Sequence, residues 1–550
     1  MTIQYDLPSF ISSSRAPWID ESLKNNITKN IVEFGTPQPY ADNEFRASWK
    51  KAPLYTLWTL PFAWMFGVGY TQMRILSLLT ALLAVGFIYL LIRRELTNRQ
   101  MNMFLLLLFS NLTFFTYSRV GTYESLFLLL TSIIFYLVYH HFRSVLSLIS
   151  VGFLCTILYW LKATGITVTA VVAVFLFISG WTYKNKLGER IYLKNTGIFV
   201  LSFIFFMSLL KVILKYFFHE GPRSLSITGA GDILGGKTVS GLYAFLWHFF
   251  TNTEAPVFVH LNLFLTVIAF LGLGFFILRL RKTSPPSKLS ILMAIWMVLW
   301  IISIGWSTYT VGRLYYGVLP PLIYWAQYAV TCNKENLLPQ HFKLNIKVLT
   351  GFVFLALSVS LLTRFILVQL NEMYFLNQFL TRVSESPYKI IIFWLILVTF
   401  SFFFVMHVRK YKNVLQQALT VILVLVFIQN GYLFFSWWQT RTSSIVDGNR
   451  IVERILEDSG EQMVAGQWSS AFVFDINGIE SYPIMPGVYN KNILNKLNIR
   501  YIFLESRKYG HKNKLEKIYS GLFKEARIIQ QFHVAEKWFV DLYDLKPGVN

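Results

Sequence analysis

The chain has 550 residues, of which 55% are hydrophobic and only 14% charged, against roughly 25% charged in an ordinary soluble domain. This composition excludes a wholly soluble protein, because so much apolar surface has to face lipid. The net charge of +22 would suggest nucleic acid in a soluble domain. Here the Lys and Arg residues fall mainly in short loops and in the C-terminal tail, which fits membrane orientation and no nucleic acid.

In chain order, apolar runs long enough to cross a bilayer predict about twelve spanning helices. They lie near residues 72–94, 101–118, 122–140, 145–160, 165–183, 196–217, 257–280, 288–308, 312–331, 346–368, 388–407 and 416–437. Every second loop is basic: Arg93, Arg94 and Arg99; His141 and Arg143; Lys184, Lys186, Arg190 and Lys194; Arg279, Arg281, Lys282 and Lys288; Lys334, Lys343 and Lys347; Arg409, Lys410 and Lys412. The positive-inside rule makes these loops cytoplasmic. The N-terminal segment, the 218–256 loop, the 369–387 loop and the C-terminal tail are then external. An even number of spans needs both ends on one side, and they are.

Three regions follow: 1–71, a first external segment; 72–438, the multi-helix membrane domain; and 439–550, a small external soluble α/β domain. Within the last, Arg450 to Leu456 and Lys512 to Phe523 read as helices. Met463 to Trp468, Arg500 to Glu505 and Trp538 to Tyr543 alternate as strands do. No apolar run precedes the first segment to carry it across a membrane, so a spanning helix encoded upstream of Met1 is expected.

The first segment carries Asp20 and Glu21 after Ala16, Pro17 and Trp18, then Gly35, then Lys51, Ala52, Pro53, Leu54 and Tyr55, with Phe66, Gly67 and Arg74 after them. This pattern resembles the first outward loop of the GT-C glycosyltransferases, in particular the protein O-mannosyltransferases and the aminoarabinose transferase acting on lipid A. Further likenesses are Arg119 with Glu124, Lys162 with Gly165, and Arg313, Tyr315 and Tyr316 followed by Pro320 and Pro321. Four details depart from the family pattern: the family's first helix is not seen ahead of Trp18, Ala52 stands in the Lys-Pro-Pro signature, Lys50 replaces an acid of the aminoarabinose transferase, and Glu124 replaces the usual Asp.

The resemblance implies a GT-C type fold and a lipid-linked sugar donor, a polyprenyl phosphate sugar. It implies inverting transfer to an acceptor glycan, lipid or protein at the outer face of a multi-pass, bacterial type cell membrane. It assigns Asp20 as base, Glu21 as its orienting neighbour and Lys51, with Arg313, as donor-phosphate ligands. Arg74, Arg119, Glu124, Lys162 and Tyr316 are supporting candidates. No metal site is read from the nine scattered His residues, and a divalent metal ion, which some relatives use, is left open.

The chemistry alone points the same way. Such a transfer needs a carboxylate to take the hydroxyl proton and fixed cations to meet the phosphate's growing charge. Each residue also has a plainer reading: Asp20 and Glu21 as acids of a helix's first turn, Lys51 as a snorkelling side chain, Arg119 with Glu124 as an interfacial pair. The rival functions are a polytopic transporter, a surface-polysaccharide polymerase or ligase, and a non-catalytic relative. Gly231 to Thr238 satisfies the phosphate-loop pattern but lies in an outward loop with no strand before it, and is read as a decoy.

Overall fold

A computed structural model of the chain describes residues 5–7, 16–36, 53–162, 164–182, 189–218, 261–279, 287–305, 312–331, 412–441, 443–466, 468–482, 494, 497–506, 523–534 and 538–546. The spans expected at 346–368 and 388–407, the helix at Lys512 to Phe523 except its last residue, the decoy loop and Lys51 lie outside the described residues.

The segment before the first expected span already holds two helices, α1 (Ala16–Phe34) and α2 (Pro53–Phe66). Helix α1 escapes a hydropathy reading because it is buried by polar groups: Ser22, Asn25, Asn26, Thr28, Lys29 and Asn30 are all inaccessible to solvent. A helix that buries such groups must pack against partners that satisfy them. Thr28 and Thr59 join their hydroxyls at 2.7 Å and tie α1 to α2.

The membrane helices follow as α3 (Tyr70–Ile92), α4 (Asn98–Phe109), α5 (Leu112–Arg119), α6 (Glu124–His141), α7 (Val145–Leu161), α8 (Gly165–Thr182), α9 (Glu189–Phe218), α10 (Leu263–Arg279) and α11 (Lys288–Gly305). A 3-10 helix (Gly312–Val318), α12 (Leu319–Thr331) and α13 (Lys412–Thr440) complete the described bundle. Among the described residues four helices are long and apolar enough to cross a membrane, five if the bent pair α4 and α5 counts as one span. Shorter apolar helices accompany them. Leucines and phenylalanines such as Leu83, Leu201 and Phe205 stay exposed, as a lipid-facing surface requires. The chain is an integral membrane protein.

Two of the expected runs are not single regular helices. The run over 101–118 is two helices bent by 63°, because an amide network replaces helical hydrogen bonds at the break. Asn111 caps α5 by accepting from the Phe114 amide at 3.1 Å, and Asn430 of α13 accepts from the Leu112 amide at 3.0 Å. Asn111 in turn donates to Asn262 at 2.7 Å. Buried amides with all partners met hold such a kink where a hydropathy average sees only apolar neighbours. The run over 312–331 likewise begins as a 3-10 helix and continues as a short α-helix.

The C-terminal unit begins with α14 (Ser444–Ser459), followed by β1 (Met463–Gly466), α15 (Ser469–Val473), β2 (Glu480–Tyr482), β3 (Tyr501–Glu505), β4 (Arg527–Val534) and β5 (Trp538–Asp544). The five strands form one mixed sheet in the order β2-β1-β3-β5-β4, parallel around β1 and antiparallel around β5. Its core is aromatic: Phe472 stacks on Phe503 at 5.2 Å and meets Phe532 at 4.4 Å. Strands β2 and β4 went unpredicted, β2 because it is three residues long and β4 because its outer face is exposed.

The bundle has two chemically distinct ends. Helices α3 and α6 run side by side, His140 Nε2 lying 3.3 Å from the Leu90 carbonyl. At that end Asn195 donates to the Phe142 carbonyl at 3.0 Å, Lys288 lies over the Phe142 ring, and Gln100 donates to Thr331. The described basic loops of Arg93, Arg143 and Lys288 thus share one end. The starts of α3 and α6 lie at the other end, beside α1 and the C-terminal unit.

Candidate functional site

Glu21 is fully buried and its carboxylate is saturated with donors. Arg74, on the second turn of α3, donates through Nε to Oε1 at 2.8 Å and through Nη2 to Oε2 at 2.7 Å. The Gly121 amide donates to Oε1 at 2.7 Å. Asn25, one turn along α1, donates to the Glu21 carbonyl at 2.8 Å and to the Gly121 carbonyl. A two-pronged guanidinium with a backbone amide is a strong and directional set. It leaves Glu21 little room to move and binds α1 to α3 and to the turn between α5 and α6.

Gly121 is part of this fit, since a Cβ there would meet Met73 Cβ at 2.9 Å, Glu21 Oε1 at 3.2 Å and Asn25 Nδ2 at 3.3 Å. Met73 Cβ is anchored to its helix and cannot swing away. Gly121→Ala is therefore expected to destabilise the protein by about 1–3 kcal/mol, the usual range for overpacking. A fall in the thermal unfolding midpoint of the purified protein checks this; an unchanged midpoint would show that the turn relaxes freely.

Asp20, the neighbour of Glu21, is half-buried. One turn along, on Asp20's side of α1, the Lys24 ammonium lies 4.4 Å from the centre of the Tyr123 ring. From another direction Lys162 lies 5.1 Å from the same ring and pairs with Glu124 at 3.0 Å. Tyr55 meets Tyr123 edge to face at 6.2 Å. Two ammonium groups converge on one aromatic ring. The sequence reading missed Lys24 and Tyr123; the four-residue spacing of Asp20 and Lys24 on a helix was the signal that could have found Lys24.

Arg119, at the end of α5, turns toward the N-terminal residues, where Nη1 donates to the Tyr5 carbonyl at 2.9 Å and Nη2 to the Asp6 carbonyl at 3.0 Å. Arg74 donates to the same Tyr5 carbonyl at 3.1 Å, so the two guanidinium groups are neighbours. Trp437 of α13 donates to the Asp6 carbonyl at 3.2 Å and lies under the Arg119 guanidinium. Tyr316 is buried, stacked on Phe114 at 5.5 Å and edge-on to Tyr117 at 6.3 Å. It seats the 3-10 helix, and with it the backbone of Arg313, against α5; the Arg313 side chain lies outside the described residues.

The structure thus brings Asp20, Glu21, Arg74, Arg119, Glu124, Lys162 and Tyr316 to one end of the bundle. Among the described residues no group of three or more His, Cys, Asp or Glu is placed to hold a metal ion.

No protein-family model matches the sequence, and no curated protein matches it. Solved structures do. ArnT from Cupriavidus metallidurans bound to undecaprenyl phosphate is similar with a TM-score of 0.53 at 13% identity, over 97% of this chain and 96% of that one. The chain shares the ArnT fold. The same protein in its apo state gives a TM-score of 0.50 at 13% identity, over 96% of each chain. ArnT, the lipid A aminoarabinose transferase, is a GT-C enzyme, so the fold resemblance drawn from Asp20 to Pro321 holds at the level of backbone. The likeness to ArnT runs almost end to end, so the small sheet is part of the shared architecture.

Burial shapes a second group on α1. Lys29 is inaccessible, its ammonium donating to the Val473 carbonyl at 2.7 Å and to the Ile476 carbonyl. Desolvation lowers it to about 8 from 10.5, against the opposing pull of Glu33 and Asp475. The unfolded chain therefore holds this proton more tightly than the folded protein. The cost of the buried charge is fully present below about pH 8 and is relieved as pH rises from 8 toward 10.5. Relative to Lys29→Met, the wild type should gain up to about 3 kcal/mol across that window. Unfolding midpoints of both proteins measured against pH check the sign; a wild-type midpoint that falls relative to that of Lys29→Met as pH rises from 8 to 10.5 would refute it.

Proposed function

We propose that this protein is a membrane glycosyltransferase that moves a sugar from a polyprenyl-phosphate donor to an acceptor hydroxyl, in one inverting displacement. The carrying observation is the likeness to ArnT, a protein seen with undecaprenyl phosphate bound, joined to an acid-and-base cluster at one end of the bundle. In this reading Asp20 takes the acceptor's proton as its oxygen attacks the anomeric carbon. The bond from that carbon to the phosphate oxygen breaks, and polyprenyl phosphate leaves with the electron pair.

Glu21 cannot serve as the base, because its carboxylate is committed to Arg74 and the Gly121 amide; it holds α1 in place. Lys51 and Arg313 meet the phosphate's charge, with Lys24 and Lys162 adding to the positive field around Tyr123. The site end is assigned to the outer face, since the opposite end gathers the basic loops that the positive-inside rule keeps in the cytoplasm. Residues 1–71, 72–438 and 439–550 then act as catalytic segment, membrane domain and external domain.

The test is to incubate purified protein with a panel of labelled polyprenyl-phosphate sugars and candidate acceptors, and to follow release of polyprenyl phosphate. Sugar-dependent release is expected. If no donor in the panel is consumed, the assignment fails.

A further inference from the structure

Residues 469–479 of the C-terminal unit supply no group to the proposed reaction, yet they grip both helices that form the Glu21–Arg74 pair. On the α1 side Ser22 and Ser470 bring their hydroxyls within 3.3 Å. Lys29 donates to the carbonyls of Val473 and Ile476 and, at 3.5 Å, of Ile479. Glu33 accepts from the Gly478 amide at 3.0 Å. On the α3 side Asp475 Oδ1 accepts from the Tyr70 amide at 2.7 Å, and the Tyr70 hydroxyl donates to the Ala471 carbonyl at 3.0 Å. Arg74 follows one turn later.

The geometry of this grip is specific. Ser22 and Lys29, seven residues apart, share a face of α1, whereas Asp20 and Lys29, nine apart, lie on opposite faces. Lys29 therefore acts on Asp20 only through the helix, whose two and a half turns between them span about 13 Å. Three carbonyls converging on one ammonium fix both the axial position and the rotation of α1. At Gly69 a Cβ would lie 2.7 Å from Gln72 Oε1 and 2.9 Å from Asp475 Oδ1, both of them ends of side chains. An inaccessible lysine carries a desolvation cost that an apolar residue of similar length would avoid.

We infer that the C-terminal unit is a positioning element of the active site: through Lys29 and Asp475 it sets the placement of α1 and α3 and hence the aim of Asp20. This rests on the reading of Asp20 as the base. Small displacements of a reacting group cost large factors in rate, so the effect belongs in kcat and not in donor binding.

The chain has two cysteines, Cys155, which is buried, and Cys332; the experiment uses the full chain in detergent or nanodiscs, with Cys332→Ser as background. Lys29→Met should lower kcat by roughly tenfold or more, with the donor KM within about twofold and the protein still monodisperse. Adding Ser22→Cys with Ser470→Cys to Lys29→Met should restore most of the lost kcat when the pair is oxidised, and lose it again on reduction. Hydrogen exchange of the Gly121 amide, which reports on Glu21, should speed up in Lys29→Met.

Wild-type kcat in Lys29→Met would overturn the inference. So would a loss that follows the folded fraction and is not restored by the cross-link. If the wild type consumes no donor, the functional reading falls separately; the amide exchange then decides, and an unchanged Gly121 rate overturns the positioning role.

Discussion

Asp20→Asn should lower turnover by roughly 10²–10⁴-fold, the usual contribution of a positioned general base. Asparagine keeps the size and a carbonyl oxygen of the side chain but cannot take the acceptor's proton at neutral pH. Helix α1 gains its hold from Glu21, Asn25, Thr28 and Lys29, so folding and donor binding should be retained. The measurement is single-turnover release of polyprenyl phosphate, alongside donor affinity and the unfolding midpoint. Release at the wild-type rate would move the base elsewhere and remove the reason for placing the chemistry on α1.

Glu21→Gln should cost the fold about 3–5 kcal/mol, the penalty for leaving a buried charge without its partner. Arg74 would keep its charge in a site closed to solvent, where both residues are only 2% exposed. Because Glu21 also accepts from the Gly121 amide, the damage should reach three elements together. Glu21→Gln therefore differs from Asp20→Asn in kind: it lowers the thermal midpoint and activity together, whereas the neighbouring substitution lowers activity alone. Arg74→Met in the Glu21→Gln background should recover part of the stability, since an apolar or neutral replacement of both partners removes the stranded charge. Failure of the double variant to recover would mean that the pair's value lies in its hydrogen bonds and not in charge neutrality.

The membrane helices were legible in the sequence wherever one apolar run serves one helix, as in α3, α6 and α7. The bend after Phe109 was not, because the groups that hold the local cap Asn111 and the Leu112 amide in place come from Asn262 and Asn430, far along the chain. Helix α1 was weighed only as a helix starting at the acid pair, and its true start at Ala16 was not legible for a related reason. Its buried face is polar, so no hydrophobic period marks it, and its stability comes from partners on α3, the α5–α6 turn and the C-terminal unit. The acid pair itself was legible as a motif, but not the difference between its members. Asp20 and Glu21 are adjacent in sequence; only the placement of Arg74 and Gly121 commits one to structure and leaves the other half-buried beside the site.

By itself the sequence determined that the chain is a multi-helix integral membrane protein and which of its loops are basic. These properties follow from local composition, since a bilayer demands continuous apolar runs whose backbone groups are satisfied within each helix. Tertiary structure alone decided which polar groups meet. Glu21 finds Arg74 across 53 positions and Gly121 across 100, and Lys29 finds Val473 across 444. A buried charge is tolerated only where its partners converge in space, and that convergence belongs to the packed bundle and sheet together.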